Sequence, residues 1–168
     1  MNSQVAESLF RQFDPNEPVE LAQQLIRIPS FLWHESNLGG WLFDWLTERG
    51  FQVELQEVPL RDGSTTHQAI GILKGDGTGP SLMLCGHTDT SDWNGDVFRR
   101  SEWKHDPFAG DIVDHVLYGL GALNMKGGLA SILVAADVIR RSGRPLKGDL
   151  IVACVVAETG GGVGAQHL

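Results

Sequence analysis

The 168-residue chain has 42% hydrophobic and 20% charged residues, which is ordinary for a globular domain with a hydrophobic core. Its net charge of −8 argues against nucleic acid or an anionic membrane surface as the main partner. The N-terminus has no basic segment followed by a long apolar run, and no stretch reaches the apolar length of a membrane span, so neither a signal peptide nor a membrane segment is predicted.

Two helices are predicted first in chain order. Residues 18–28, PVELAQQLIRI, carry apolar side chains at helical spacing behind an initial proline. A second helix, with Ser36 or Asn37 as its N-cap, runs through Trp45 and ends at Gly50.

Strands and one long helix follow. Residues 51–58 alternate and predict a strand, and residues 67–74 predict another. The continuous apolar runs 81–86 and 149–157 are typical of strands buried on both faces. Residues 111–119 predict a short hairpin, and residues 125–142 predict a helix that ends at Gly143. The fold class is therefore α/β, with a mixed, mainly parallel sheet flanked by helices.

The chain has two cysteines, Cys85 and Cys154, and each lies in an apolar run predicted to be a strand. Two isolated buried thiols fit a reducing compartment better than a disulfide framework. We therefore expect a cytoplasmic protein.

Three polar segments follow predicted strands or open the long helix: GHTDTSDW, GLGALNMKGG and ETGGGVGAQH. In open α/β sheets, ligands bind beyond the carboxyl ends of the strands. We therefore expect His87, Asp89, Asn124 and Glu158 to meet at one end of the sheet.

His87 and Asp89 form a His-x-Asp pattern directly after a predicted strand. Such a histidine can bind a metal while the aspartate accepts the other imidazole N–H and fixes the tautomer. The same pattern also fits a strand-end histidine that bonds the backbone, beside an aspartate that caps a turn.

Glu158 follows an apolar strand and comes shortly before three glycines. A carboxylate in that position can act as a general base on a metal-bound water. A solvated glutamate before a flexible turn is the alternative.

Four stretches carry a resemblance to a known family: PVELAQQLIRIPS, LMLCGHTDT, WKHDPFAGDIVDHVLYGLGALNMKGGLA and VVAETGGGVGAQHL. Together, and in this order, they resemble the M20 family of zinc-dependent peptidases and amidohydrolases. The resemblance extends from Pro18 to the last residue. It implies an α/β catalytic domain that holds two zinc ions and acts on an N-acyl amino acid or a small peptide.

The resemblance also implies roles for individual residues. His87 would bind one metal and Asp89 would orient it, whereas Glu158 would be the general base. Asn124 occupies the place of an aspartate that bridges the two metals, and Thr159 occupies the place of a second glutamate ligand. An asparagine offers only one neutral oxygen, and a threonine hydroxyl is a poorer zinc ligand than a carboxylate. We therefore expect weak or single zinc binding, with His87 and Asn124 as ligands. As an alternative, Asn124 is a good helix N-cap.

Members of the family are longer than this chain. They have a further acidic ligand, a late histidine and an inserted domain that often mediates dimerisation. We therefore expect residues 1–168 to be the N-terminal portion of a catalytic domain, with a homodimer possible in a full-length form. Three functions remain open: an amidohydrolase complete only in a longer chain, a non-catalytic homologue that binds a carboxylate ligand, and an interaction domain that needs a partner to cover an open sheet edge.

The segment between Trp93 and Trp103 contains a pair of arginines, Arg99 and Arg100. The two tryptophans predict a surface loop packed by its own side chains. The arginines could recognise a substrate carboxylate, although a solvated pair is the simpler interpretation.

Overall fold

A computed structural model of the chain describes residues 3–91 and 103–168. Trp93, Arg99 and Arg100 therefore lie outside the described residues. The chain begins with helices α1 (Ser3–Phe10), α2 (Glu17–Arg27) and α3 (Ser36–Glu48). The remaining elements, in order, are β1 (Gln52–Pro59), β2 (Thr65–Leu73), β3 (Leu82–His87), β4 (Ile112–Val113), β5 (Val116–Leu117), α4 (Gly127–Arg141), β6 (Leu150–Val155) and α5 (Val163–Gln166).

The main sheet has four strands in the order β1-β2-β6-β3, and β4 and β5 form the predicted hairpin separately. β1 pairs antiparallel with β2, β2 pairs antiparallel with β6, and only β3 and β6 are parallel. The prediction of a mixed sheet flanked by helices is confirmed, but that of mainly parallel strands is wrong for the described sheet. The short connection between β1 and β2 makes them a hairpin, which requires antiparallel pairing.

One face of the sheet packs under helices α3 and α4, and α2 packs against α4. Helices α3 and α4 turn their apolar stripes towards this face, as the periodicity of their sequences predicted. Fully buried Leu25, Leu42, Leu129 and Leu133 form its centre together with Val152 of β6. The opposite face carries a smaller buried cluster around Ile70, Ala153 and Val155.

β3 is an edge strand among the described residues, although its sequence predicted burial on both faces. Leu82 is 56% exposed and Met83 is 45% exposed. Cys85 is also exposed, which corrects the expectation of two buried thiols, whereas Cys154 is buried. An apolar run shows that a strand can be buried on both faces. Actual burial also requires neighbouring elements that cover the strand, and β3 has only β6 beside it among the described strands.

The segment Ala122–Arg141, which contains α4, is long and apolar enough to cross a membrane by length and composition alone, with a mean hydropathy of 1.4. No membrane segment was predicted here from the sequence. A core helix satisfies the same test, and Leu129 and Leu133 of α4 are fully buried against the rest of the chain.

The predicted N-cap of α3 is wrong. Ser36 and Asn37 already lie inside the helix, and Glu35 occupies the N-cap position without a capping hydrogen bond from its side chain. The Glu35 side chain instead enters the interior, where the residue is 0% exposed. Helix periodicity locates the apolar face but leaves the first residue uncertain by one or two positions.

Candidate metal centre

The parallel pairing of β3 and β6 brings the two main polar segments together. His87 is the last residue of β3 and lies opposite Val155, the last residue of β6. The chain then continues from β6 through Val156 and Ala157 to Glu158. Because parallel strands end at the same edge, His87 and Glu158 meet there, and the distance from His87 Nε2 to Glu158 Oε2 is 3.9 Å.

His87 is buried and held at both ring nitrogens. Its Nδ1 lies 3.0 Å from the backbone carbonyl oxygen of Asp89 and 3.4 Å from the Asp89 carboxylate. Its Nε2 lies 3.0 Å from Oδ1 of Asn124. Both the carbonyl oxygen and the carboxylate of Asp89 therefore face Nδ1 within hydrogen-bonding range.

These contacts set the charge of the ring. The Asp89 carboxylate and the Asn124 oxygen raise the pKa of His87 to about 9, against the opposing effect of burial. With acceptors on both sides, the metal-free ring is an imidazolium that donates from both nitrogens. A metal at Nε2 would have to displace that proton.

Asn124 lies in a wide turn, Ala122–Lys126, immediately before α4. Its backbone is extended (φ −131°, ψ 99°), and the N-cap residue of α4 is Lys126. The interpretation of Asn124 as an N-cap is therefore wrong, since the residue lies two positions before the cap. Its Oδ1 is instead directed at His87, which is what a ligand position requires.

Asp89 is 1% exposed, and its carboxylate binds the turn that carries Glu158. Oδ1 accepts from the amide of Glu158 at 2.9 Å. Oδ2 accepts from the amide and the hydroxyl of Thr159, at 3.0 and 2.6 Å. Burial alone would raise the pKa of Asp89, but the hydrogen bonds from His87, Thr159 and Glu158 outweigh it and hold the pKa well below its usual range. Asp89 is thus ionised, and both of its carboxylate oxygens already accept hydrogen bonds from the turn, which leaves few lone pairs for a metal.

The residues present fit one divalent cation. Among the described residues, one ligand atom each from His87, Asp89 and Glu158 lies within 4.8 Å of the other two. Asn124 adds a neutral oxygen beside His87 Nε2. Because the Asp89 carboxylate already accepts from the turn, His87 Nε2 and Asn124 Oδ1 are the atoms that can hold the cation, and the Glu158 carboxylate lies beside them. These are fewer ligands than the three of a typical catalytic zinc site.

Thr159 does not contribute a ligand atom in this arrangement. Its hydroxyl donates to Asp89, and that hydrogen bond directs the oxygen towards the anchor. A hydroxyl is in any case a poorer zinc ligand than the carboxylate that the family resemblance implies here.

A cavity of about 290 Å³ adjoins the centre and provides space for a ligand. Asn124 and Thr159 line its polar side. Trp103, Leu120 and Leu123 line its apolar side. Its position beside the candidate ligands makes it the natural approach for a small molecule.

Sequence reasoning missed two buried charged residues near the centre. Glu35 is directed at the turn before Glu158, and Lys126 is 1% exposed. Lys126 Nζ donates to the carbonyl oxygens of Leu25 and Ile28 at 2.8 Å each, so it binds the C-terminal end of α2. Burial lowers the pKa of Lys126 to about 7. No short-range signal identifies either role, because the partners are far away in the chain.

Solved structures share this fold. Human carnosine dipeptidase 1 superposes with a TM-score of 0.81 at 21% identity, over 96% of this chain and 36% of that one. An M20 family metallo-carboxypeptidase from Sulfolobus solfataricus gives a TM-score of 0.74 at 18% identity, over 92% of this chain and 33% of that one. At these identities the likeness concerns the fold.

Curated relatives are more similar in sequence. A succinyl-diaminopimelate desuccinylase of Methylorubrum extorquens is 36% identical over 149 residues, which is 87% of this chain and 36% of the relative. An N-formyl-4-amino-5-aminomethyl-2-methylpyrimidine deformylase of Bacillus subtilis is 35% identical over 153 residues, which is 88% of this chain and 34% of the relative. The chain therefore spans about a third of the length of these relatives.

The model of peptidase family M20/M25/M40 matches residues 83–168, just over half of the chain. The matched region begins in β3 and includes all four candidate site residues. The order of the motifs, the fold and the family match agree, and the chain belongs to peptidase family M20/M25/M40.

Proposed function

We propose that this chain supplies the general base and part of the metal site of a metal-dependent hydrolase that cleaves an amide bond in an N-acyl amino acid or a small peptide. The observation that carries the proposal is the meeting of Glu158 with the His87–Asn124 pair at one sheet edge. Family membership supports the reaction class. The names of the relatives, a desuccinylase and a deformylase, support removal of an acyl group from nitrogen.

In the proposed mechanism, His87 and Asn124 would hold the metal through Nε2 and Oδ1. Zinc bound there would supply a water of lowered pKa and would polarise the scissile carbonyl. Asp89 keeps the His87 ring in place and fixes the amides of Glu158 and Thr159. Glu158, whose side chain is 55% exposed, accepts the proton of the attacking water at its carboxylate and returns it to the leaving nitrogen.

The ligand set predicts that the 168-residue chain binds at most one zinc ion, weakly, and does not turn over amide substrates. Catalytic zinc sites generally use three protein ligands and a water. Here the bridging position is a neutral amide, and the Thr159 hydroxyl is a poorer zinc ligand than a carboxylate.

The test measures zinc stoichiometry by dialysis and affinity by chelator competition, for the parent chain and for His87→Ala. We expect up to one equivalent, lost in the variant. Zinc binding that is unchanged in His87→Ala would refute the site. Hydrolysis of N-acetyl amino acids by the 168-residue chain, abolished in Glu158→Gln, would support the reaction and refute the predicted inactivity.

A non-catalytic homologue is the second candidate. The observation that favours it is the combination of Asn124 with a Thr159 hydroxyl already bound to Asp89. It predicts that an N-acyl amino acid binds in the cavity beside Asn124 without turnover. Calorimetric titration with N-acetyl and N-succinyl amino acids, followed by product analysis, distinguishes binding from hydrolysis.

The proposed compartment is the cytoplasm. Cys85 and Cys154 are both free, and unpaired cysteines are typical of proteins in a reducing compartment.

A further inference from the structure

Three consecutive amides carry the turn that presents Glu158, and all three donate to buried carboxylates. The amides of Glu158 and Thr159 donate to Asp89. The amide of Ala157 donates to Oε1 of Glu35 at 3.2 Å. The candidate base is therefore held on one side by Asp89 and on the other by Glu35.

Glu35 is built into the interior. Its residue exposure is 0%, and it is one of the largest fully buried side chains in the described part of the protein. Oε1 also accepts from the amide of Trp33 at 3.1 Å, and Oε2 accepts from the Thr66 hydroxyl at 2.9 Å. One carboxylate thus joins the segment before α3, strand β2 and the turn after β6.

The segment that carries Glu35 packs against the same turn. The Trp33 ring lies so close to Gly160 that a Cβ atom at Gly160 would collide with it. The amide of Leu32 donates to the carbonyl of Thr90 at 3.0 Å, directly after Asp89. Residues 32–35 therefore contact both the turn that carries Glu158 and the segment that carries Asp89.

The backbone of Ala157 needs this support. Its φ is +53°, a left-handed conformation that is uncommon for a residue with a side chain. Such a conformation persists where the surroundings hold it in place. Its amide is the one that Glu35 accepts, at the residue immediately before the candidate base.

We propose that Glu35 is a positioning residue for Glu158: its buried carboxylate holds the Ala157 amide and so sets the course of the turn that presents Glu158 and supports Asp89. The proposal rests on the function proposed for Glu158 and His87. Residues 29–35, PSFLWHE, thereby have a role in the site, since Glu35 is the second carboxylate, after Asp89, that accepts from an amide of the turn.

The chemistry of Glu35 indicates which substitution should preserve the role. Burial raises its pKa, but Oε1 accepts from Ala157 whether or not Oε2 carries a proton. Glutamine keeps the Oε1 acceptor and presents an NH2 group to the Thr66 oxygen, which can accept. Methionine has a similar length but no strong acceptor. Thr66→Val removes a hydrogen bond to the same carboxylate without touching the turn, and it is the matched control.

The experiment compares the full 168-residue chain with Glu35→Gln, Glu35→Met and Thr66→Val. It measures amide hydrogen exchange at Ala157, Glu158 and Thr159, Co²⁺ affinity with the visible spectrum of the bound ion, and urea stability. We expect Glu35→Met to accelerate exchange at the three amides. Because the same turn donates to Asp89, which orients His87, we also expect Co²⁺ binding to weaken roughly tenfold. Glu35→Gln and Thr66→Val should keep parental exchange, affinity and spectrum, even if Thr66→Val is less stable.

Equal exchange rates of the three amides in Glu35→Met and Thr66→Val would overturn the proposal. Exchange rates in Glu35→Gln that match those of Glu35→Met would also overturn it. If Glu35→Met does not fold, Glu35→Asp replaces it, because the shorter side chain withdraws the acceptor from Ala157 but keeps the charge. If the parent chain fails to bind Co²⁺, the proposed function loses its metal site. The exchange rates at the three amides then still decide whether Glu35 positions the turn.

Discussion

Nε2 of His87 lies 3.0 Å from Oδ1 of Asn124, at the edge where β3 and β6 end together. The two atoms belong to segments separated by 37 residues. In the metal-free chain the contact is a hydrogen bond from an imidazolium. The same two atoms are the proposed metal ligands, so proton and metal compete for one place.

Asn124→Asp should raise zinc affinity roughly tenfold or more, equivalent to about 1.4 kcal/mol. Aspartate keeps an oxygen towards His87 and adds a full negative charge. Because Asn124 is exposed and is not a helix cap, we expect metal-free stability to change by less than about 1 kcal/mol. Chelator competition and urea unfolding measure the two quantities.

Two further variants complete this comparison. Asn124→Ala should lose affinity, and adding Thr159→Glu to Asn124→Asp should raise it further. Unchanged affinity in Asn124→Asp, together with a less stable metal-free fold, would mean that the amide N–H groups of Asn124 are what the fold uses. The zinc role of this residue would then be abandoned.

Asp89→Asn should weaken zinc binding roughly 10- to 100-fold, because the His87 ring loses the charge that orients it. It should also destabilise the fold by about 1–3 kcal/mol, because an amide group replaces one of the oxygens that accept from Glu158 and Thr159. Thr159→Ser keeps the hydroxyl donor and is the matched control. A parental zinc affinity in Asp89→Asn would exclude an orienting role.

The contribution of His87 to the stability of the metal-free chain should be lost as the pH rises from about 6.5 to about 9. Its folded pKa is raised to about 9, so the folded state binds more protons in this range than the unfolded state. The stabilisation is complete below the unfolded pKa, amounts to at most about 3 kcal/mol, and disappears as the pH passes the folded value.

Lys126 acts in the opposite direction. Its pKa is lowered to about 7, so above that pH the unfolded state binds more protons at this residue than the folded state does. The free energy of unfolding therefore rises with pH in this range because of Lys126. Comparison with His87→Gln isolates the histidine effect, because Lys126 is common to both chains. Parallel stability–pH curves for the parent and the variant between pH 6.5 and 9 would contradict the assignment to His87.

Lys126→Met should cost about 1–3 kcal/mol, because the carbonyl oxygens of Leu25 and Ile28 lose their buried donor. Zinc affinity should change little, since Nζ donates to the carbonyl oxygens of Leu25 and Ile28 and contacts none of the proposed ligands. A large loss of affinity with unchanged stability would instead place Lys126 in the metal site.

Local pattern was sufficient for most elements. Helix α2, the long helix α4 and strands β1 and β2 lie where periodicity predicted them, within one or two residues. The periodicity of apolar residues indicates which side of an element is buried, and it can be seen within each segment without knowledge of the others.

The candidate site was predictable to the same extent. His87 and Glu158 were located because each follows an apolar run, but they meet at one edge because β3 and β6 are parallel neighbours, a pairing that the sequence did not predict. Their chemical roles remain predictions.

Relations between distant segments needed the tertiary structure. The burial of β3 depends on a neighbour strand, so an apolar sequence could not reveal an edge. Glu35 looked like an ordinary residue before a helix, yet its acceptor lies against an amide 122 residues away. Sequence by itself determined most of the elements, though not α1, together with the family and the candidate ligands, because these reside in short segments. Only the tertiary structure decided the pairing directions and the partners of the buried charges, because a buried carboxylate is stabilised by whichever donors the folded chain brings to it.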